Sequence, residues 1–251
     1  MIIDGHAHIS NSEVGNVEKY LDILREVGID TGVVVPGGTV DVQRMTDYII
    51  GRAHPSPEPP DNAYVQKAKD GVNSHLIGFC CLNPHAPDVA QSLVKALGVG
   101  FRGLKLSPIS HQFSFASKMV AELVRICGEH GLPVYSHVLY NPGASTERYV
   151  SLARQFPGTN FILGHMGFGP ADQEALQAAV ELDNFFLETS TGSFLHIKAA
   201  VEKAGVSKVI FGSEFPLSHP EVELTKILLL DLTGNERERI LSKNIQDLVK
   251  L

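Results

Sequence analysis

Eight short runs of apolar and β-branched residues recur along the chain, and most are separated by segments in which apolar residues recur at helical spacing. Apolar runs of this length, bounded by turn residues, are typical of buried strands. The eight predicted strands lie at Ile2–Ile3, Thr31–Val35, Leu76–Leu82, Phe101–Leu106, Pro133–Val138, Asn160–Leu163, Phe185–Leu187 and Lys208–Phe211.

The segments between the predicted strands carry apolar residues every three or four positions, as helices with one buried face do. Clear examples are the stripes Val17, Tyr20, Leu21, Leu24, Val27 and Val120, Leu123, Val124, Cys127 and Ala175, Leu176, Ala179, Val180. Several segments end in glycine, which tolerates the left-handed conformation that closes a helix. We therefore predict helix-to-strand turns at Gly28, Gly98, Gly131 and Gly205.

Strands that alternate with helices predict a parallel sheet joined by right-handed crossovers. The pattern by itself also fits an open doubly wound sheet. Eight strands in 251 residues favour an α/β fold of the closed (β/α)8 TIM barrel type, with a helical tail at the C-terminus. We predict a single domain over residues 1–251, and we interpret the stretch 36–61 as a long loop with a short helix rather than a linker.

The composition excludes several classes of protein. With 43% hydrophobic and 20% charged residues, the chain is not disordered, and no apolar run approaches the roughly 20 residues of a membrane span. A net charge of −7 without a Lys/Arg cluster argues against a nucleic-acid partner. The N-terminal sequence lacks the features of a secretory signal, and the three cysteines form no CxxC pair, so we expect a cytoplasmic protein.

The eleven histidines can be sorted by the end of the barrel to which the strand order assigns them. In this fold, chemistry occurs at the carboxyl ends of the strands, and the opposite face serves stability. His75 and His130 precede strands and are expected on the stability face, and His196 is expected on the surface of a helix. The loops after strands two, three, four and eight contain His54, His85, His111 and His219, which are candidates for substrate contact.

The remaining four histidines lie at the carboxyl ends of three predicted strands. His6 and His8 are two positions apart in the first strand, so their side chains point to the same side. His137 closes the fifth strand and His165 the sixth. Neutral imidazoles that converge on one point are typical of a metal site, and Glu214 at the end of strand eight adds a carboxylate. Strand eight lies beside strand one only if the barrel closes.

These residues resemble the amidohydrolase superfamily, and within it the amidohydrolase 2 branch of metal-dependent hydrolases and non-oxidative decarboxylases. The resemblance extends over nearly the whole chain and follows the order of the barrel. It is carried by DGHAH at 4–8, NPH at 83–85, FRGLKL at 101–106, His137, His165, LETSTG at 187–192 and the C-terminal NIQDLVKL.

The resemblance implies one divalent metal ion per chain, most often Zn, held by His6, His8 and His137 and weakly by Glu214. It implies that Glu214 takes a proton from the metal-activated water. It also implies that His165 is a further catalytic group, which holds the substrate or water or polarises a carbonyl. A homodimer is expected from the family alone.

The sequence departs from the family pattern at one position, because Glu214 stands where the family normally has Asp. The additional methylene moves the carboxylate by about one C–C bond, and a misplacement of this size can reduce a rate about 10²-fold. Three interpretations follow: a site re-spaced around the longer side chain, a site adapted to another reaction, or an inactive site.

Lys105 is a further candidate, since alternation along strand four places Phe101, Gly103 and Lys105 on one side and directs them inward. A lysine at this position could hold a substrate carboxylate or an oxyanion. The alternatives are an inward ion pair with Glu188 and, as in binuclear relatives, a carbamylated lysine that bridges two metals. Asp4 is expected to support local structure.

The leading hypothesis is a metal-dependent hydrolase that acts on a small ester, lactone or amide bearing a carboxylate. The alternatives are a non-oxidative decarboxylase in the same site and a catalytically silent metal-binding barrel. A decarboxylase would be favoured by arginines near the site, for which Arg44 and Arg52 are the candidates.

Overall fold

Parallel strands and helices alternate along the chain in the computed structural model, which describes residues 1–71 and 75–251. The strands are β1 (Ile3–Ile9), β2 (Thr31–Pro36), β3 (Leu76–Gly78), β4 (Cys80–Cys81), β5 (Leu104–Leu106), β6 (Val134–Ser136), β7 (Phe161–Leu163), β8 (Phe185–Glu188) and β9 (Val209–Ile210). β3 and β4 are two pieces of the single strand predicted over 76–82, interrupted at Phe79.

The α-helices lie between the strands and at the C-terminus. They are α1 (Val17–Val27), α2 (Met45–Ile49), α3 (Asn62–Gly71), α4 (Val89–Gly98), α5 (Pro108–His111), α6 (Lys118–His130), α7 (Thr146–Gln155), α8 (Gln173–Glu181), α9 (Phe194–Ala204), α10 (Pro220–Leu228), α11 (Gly234–Glu238) and α12 (Asn244–Val249). Short 3-10 turns occupy Val42–Arg44, Gly164–Met166 and Val206–Lys208, and a π-helical turn at Arg239–Lys243 joins α11 to α12. No helix in the described ranges combines the length and the apolar character that crossing a membrane requires.

All strand pairs are parallel, and they form two groups in the orders β1-β2-β3 and β4-β5-β6-β7-β8-β9. Backbone hydrogen bonds join the groups at both ends. Phe79 N donates to Val34 O at 2.9 Å, whereas Gly5 N donates to Phe211 O at 2.8 Å and a parallel bridge pairs Ala7 with Phe215. The last strand therefore lies beside the first, and the predicted α/β TIM-barrel fold is confirmed.

The apolar residues form an inner and an outer layer. The inner layer fills the barrel with side chains such as Ile3, Phe79 and Ile162, and the C-terminal α12 packs Ile245 and Leu248 against it. The outer layer lies between the strands and the surrounding helices. Alternation along each strand divides its residues between these layers, which is why short strands read as nearly continuous apolar runs.

Two of the four predicted glycine turns close helices in the left-handed conformation. Gly28 caps α1 at φ 79° and Gly131 caps α6 at φ 62°, so a side chain at either position would be strained. Gly205 caps α9 at φ 88° but with extended ψ, and Gly98 is the last helical residue of α4 rather than its cap. The predicted long loop after β2 contains the short helix α2.

Candidate active site

β1 carries Asp4, His6 and His8 at the joint where the barrel closes, and a register shift between Asp4 and Ala7 interrupts the alternation of its side chains. Asp4 is buried and accepts hydrogen bonds from Tyr20 Oη at 2.8 Å and from Ser213 N and Oγ at 2.8 and 2.5 Å. Burial raises the pKa of the Asp4 carboxyl to about 6, although these hydrogen bonds oppose the shift. Asp4 therefore fastens β1 to the segment that follows β9, as its expected structural role requires.

Glu214 comes directly after Ser213 and folds back over β1. Its backbone lies in the left-handed region at φ 57°, and its amide donates to His6 O at 2.8 Å. A non-glycine residue in this conformation is uncommon, and such residues cluster at functional sites. The bend directs the Glu214 carboxylate to β1, where Oε2 lies 2.8 Å from His6 Nε2 and Oε1 lies 3.4 Å from His8 Nε2.

His6, His8 and Glu214 form a group whose potential ligand atoms all lie within 4.8 Å of one another. Burial, and then the charge of Lys105, lowers the pKa of His6 well below its ordinary value, so this imidazole is neutral at pH 7. Burial alone would raise the pKa of Glu214, but the imidazoles of His8, His6 and His165 hold it well below its usual range. The group thus offers a neutral imidazole, a second imidazole and an ionised carboxylate.

The hydrogen bonding of this group fits a bound cation. His8 Nδ1 lies 3.4 Å from Pro36 O, and a neutral imidazole that donates there presents its Nε2 lone pair to Glu214. Metal-ligating histidines commonly donate their second nitrogen to a backbone carbonyl in this way. Among the described residues, His6 Nδ1 is buried and has no hydrogen-bond partner, and the buried Glu214 Oε2 approaches His6 Nε2 at 2.8 Å without forming an aligned hydrogen bond. Buried polar atoms without partners point to a missing water or ion.

Lys105 lies on the floor of the site and is almost completely buried, at 1% exposure. Its Nζ is 3.2 Å from His6 Nε2 and 4.0 Å from the centre of the Tyr135 ring, which itself stacks on His6 at 4.1 Å. Burial lowers the pKa of Lys105 to about 8. Lys105 points inward, as alternation predicts, but no ion pair joins it to Glu188 among the described residues, where Glu188 Oε2 accepts hydrogen bonds from Tyr135 Oη and Ser190 Oγ.

His137 follows β6 and lines the same cavity as His8, His165 and Glu214. Its Nε2 accepts a hydrogen bond from Ile109 N at 3.3 Å. Burial lowers the pKa of His137 well below its ordinary value, so the ring is neutral at pH 7. Its ligand atoms lie outside the group formed by His6, His8 and Glu214, and its assignment as a metal ligand stays a prediction.

His165 follows β7 in a backbone conformation with φ 62°, which turns its ring into the cavity. Its Nδ1 lies 3.0 Å from Ser190 Oγ, and its Nε2 lies 3.9 Å from Glu214 Oε2. Ser190 Oγ in turn donates to Glu188 Oε2 at 2.8 Å, and Tyr135 Oη donates to the same oxygen at 2.7 Å. The buried Glu188 carboxylate thus connects Tyr135, which stacks on His6, to Ser190, which contacts His165.

The remaining candidates are placed away from this site. His85 is exposed, and neither His85 nor His111 lines any of the described cavities. Burial lowers the pKa of His111 to about 4. The expectation that His196 lies on the surface is wrong: it is 3% exposed, and its Nε2 lies 3.3 Å from Met166 O, because the first turn of α9 packs against the turn after β7.

Sequence reasoning did not identify Tyr135 and Ser190 as parts of the site. Ser190 lies in the LETSTG segment that carries the resemblance, two positions after Glu188, so the strand period could have indicated it. No local signal distinguishes Tyr135 from an ordinary core aromatic residue. Its role follows only from its contacts with His6 and Glu188.

The fold and the site together define a TIM barrel with a candidate metal centre. Two histidines and a carboxylate meet where its first and last strands end. The chain is a member of the amidohydrolase family (amidohydrolase 2), whose model matches residues 3–251. A search of curated proteins yields no match to this chain.

Solved structures share the fold at low sequence identity. An uncharacterized TIM-barrel protein from Bordetella bronchiseptica is 17% identical with a TM-score of 0.79, and the match covers 99% of this chain and 98% of that one. A 5-carboxyvanillate decarboxylase from Novosphingobium aromaticivorans with bound manganese is 14% identical with a TM-score of 0.75, covering 100% and 97%. A probable 2-pyrone-4,6-dicarboxylic acid hydrolase from Acinetobacter baumannii is 16% identical with a TM-score of 0.71, covering 100% and 99%. The neighbours include both decarboxylases and a hydrolase.

Proposed function

We propose that this protein is a metal-dependent hydrolase of a small ester, lactone or amide. The observation that carries the proposal is the group of His6, His8 and Glu214, in which an ionised carboxylate faces two imidazoles and all potential ligand atoms lie within 4.8 Å of one another. These residues would hold one divalent ion per chain, with His137 as the proposed fourth ligand. Zn is favoured over harder cations because imidazole nitrogens predominate in the donor set.

When bound, a divalent ion supplies Lewis-acid polarisation and lowers the pKa of water at the site to about 7. Glu214 is the general base, since its carboxylate is ionised and lies beside both imidazoles that would hold the ion. It accepts a proton from the attacking water and returns it to the leaving group. Its reach to both His6 and His8 supports the interpretation of a site re-spaced around Glu in place of Asp.

His165 and Lys105 position the reacting groups. Ser190 Oγ donates to Glu188, so it accepts from His165 Nδ1, and the neutral His165 ring presents Nε2 to the cavity as an acceptor. That nitrogen accepts a hydrogen bond from the attacking water or from the substrate. Lys105 lies beside His6, where its ammonium group favours negative charge that develops on a substrate oxygen.

Hydrolysis is favoured over decarboxylation by the residues around the cavity. Neither Arg44 nor Arg52 is among the described residues that line it; both are exposed, and Arg44 lies 3.5 Å from Asp47. A leaving carboxylate would therefore find no guanidinium group among them. This observation supports the hydrolase and disfavours the decarboxylase.

The test combines metal analysis with a substrate screen. We expect purified protein to carry about one Zn or similar divalent ion per chain. The His6→Ala/His8→Ala double variant should lose the ion, because it lacks two of the proposed ligands. His75→Ala, which removes a histidine at the opposite face, is the matched control and keeps the metal. Turnover of aryl carboxylates in preference to lactones, esters and amides would establish the decarboxylase, and stoichiometric metal in the double variant would refute the ligand assignment.

A further inference from the structure

The site opens into two chambers that meet at His8 and Glu214. The histidine chamber has a volume of about 230 Å³ and contains Lys105, His137 and His165. The serine chamber has a volume of about 250 Å³ and is lined by Ser10, Ser12 and Asp41 among others. Each chamber is large enough to hold a ring or a branched alkyl group, one on either side of the Glu214 carboxylate.

Positive charge is almost absent from both chambers. Lys105 is the only lysine or arginine among their described lining residues, and its Nζ lies at the floor beside the proposed reacting centre, 3.2 Å from His6 Nε2. Asp41 adds a carboxyl group to the serine chamber. A substrate carboxylate placed away from the reacting centre would therefore be desolvated without a cationic partner, which is strongly unfavourable.

The mouth of the histidine chamber is apolar. Six hydrophobic side chains from the connections that follow β2, β6, β7 and β9 surround it: Val40, Met45, Ile49, Leu139, Phe168 and Leu217. Ile49, Phe168 and Leu217 remain 49%, 40% and 41% exposed. When an apolar ligand group covers exposed apolar side chains that converge on one cavity, the removal of their surface from water favours binding.

We propose that the substrate carries an uncharged, apolar group, aryl or branched alkyl, at the end that points away from the reacting carbonyl. This inference rests on the proposed function, since it places the carbonyl beside His8 and Glu214. It departs from the expectation drawn from the sequence, in which the substrate bears a carboxylate. It also separates this site from sites that recognise dicarboxylic acids.

Binding of two matched probes to the zinc-loaded protein tests the inference without turnover. Benzohydroxamic acid and 4-carboxybenzohydroxamic acid share one metal-binding group and differ only in the distal charge. By isothermal titration calorimetry we expect the uncharged ring to bind at least tenfold more tightly. Ile49→Lys places a cation at the mouth and is expected to reduce this ratio at least tenfold. Ile50→Lys is the matched control, because Ile50 is similarly exposed at 52% but does not line either chamber.

The remaining outcomes overturn either this inference alone or the proposed function with it. Equal or tighter binding of 4-carboxybenzohydroxamic acid to a protein with stoichiometric zinc overturns this inference and leaves the hydrolase proposal standing. Failure of both probes to bind the zinc-loaded protein also overturns the inference. A protein that takes up no zinc overturns the proposed function and the inference together. A dimer in sedimentation that Ile49→Lys dissociates assigns the apolar mouth to a second copy and overturns the inference.

Discussion

Ser190 Oγ lies 3.0 Å from Nδ1 of His165. The same hydroxyl donates its proton to Glu188 Oε2, so toward His165 it can only accept. This arrangement places a proton on Nδ1, so in the neutral ring Nε2 is the acceptor that faces Glu214. Ser190 thereby determines which tautomer the neutral His165 ring adopts.

Ser190→Ala is expected to abolish this tautomer preference, because no acceptor remains at Nδ1. The long-range ¹⁵N–¹H spectrum of the His165 ring, assigned by its loss in His165→Gln, should change from one tautomer toward a mixture. Activity should fall roughly tenfold, the lower range for removal of a group that orients a site residue. Ser136→Ala removes another buried hydroxyl, which bonds to backbone carbonyls, and should leave the His165 signals unchanged. An unchanged tautomer in Ser190→Ala would show that Ser190 does not orient the ring.

Glu214→Gln should retain metal, since the amide keeps an acceptor oxygen, but it cannot accept the proton. We expect activity on the substrate found by screening to fall by about 10²–10⁴-fold, the usual contribution of a positioned acid–base group. Glu58→Gln, on the exposed part of the loop after β2, is the control for loss of one carboxylate. Full turnover in Glu214→Gln would exclude Glu214 as the base.

Glu214→Asp tests whether the site is built around the longer side chain. The carboxylate would withdraw by about 1.5 Å, one C–C bond, and lose its approach to His6 and His8. We expect lower activity and weaker metal retention, measured by kcat/KM and by metal content after dialysis. Higher activity with Asp would identify Glu214 as a defect and not as an adaptation.

Lys105 makes the stability of the metal-free protein depend on pH. Burial lowers its folded pKa to about 8 from 10.5, so between these values the unfolded chain binds more protons and the free energy of unfolding rises with pH. The cost of the buried ammonium is fully present below pH 8, is on the order of 3 kcal/mol, and disappears as the pH rises to about 10.5. Lys105→Met should therefore be more stable than the wild type at pH 7, with an advantage that shrinks toward pH 10. Urea unfolding in chelator at several pH values measures the difference, and a constant difference would contradict the assignment.

Tyr20→Phe is expected to destabilise the joint that closes the barrel. It removes the 2.8 Å hydrogen bond to the buried Asp4 carboxyl, and hydrogen bonds to charged groups contribute about 1.5–3 kcal/mol. Urea denaturation should show a loss of this size in the free energy of unfolding. Tyr140→Phe is the control, because Tyr140 is 86% exposed, and it should change stability little. Equal effects of the two substitutions would argue against the Asp4 network.

The strand order and the end of the barrel at which each histidine lies could be read from the sequence. Both depend on local periodicity: apolar runs mark the strands, and a residue just after a strand reaches the carboxyl end of the barrel. For this reason the eight predicted strands overlap β1 to β9, although β1 extends to Ile9, beyond the predicted Ile2–Ile3, and His8, His137, His165 and Glu214 line one cavity. The loop with a short helix after β2 also follows from local composition.

The contacts that set the chemistry of the site were decided only by the tertiary structure. Asp4 meets Ser213 across 209 positions of the chain, and Lys105 meets His6 across 99. Periodicity also does not show which buried group finds a partner: Tyr135 donates to Glu188, whereas no ion pair joins Lys105 to Glu188 among the described residues. The burial of His196 and the apolar mouth likewise arise where separate loops and helices pack together. Periodicity assigns a side chain to a face of the sheet, but barrel curvature and loop packing decide which group it contacts.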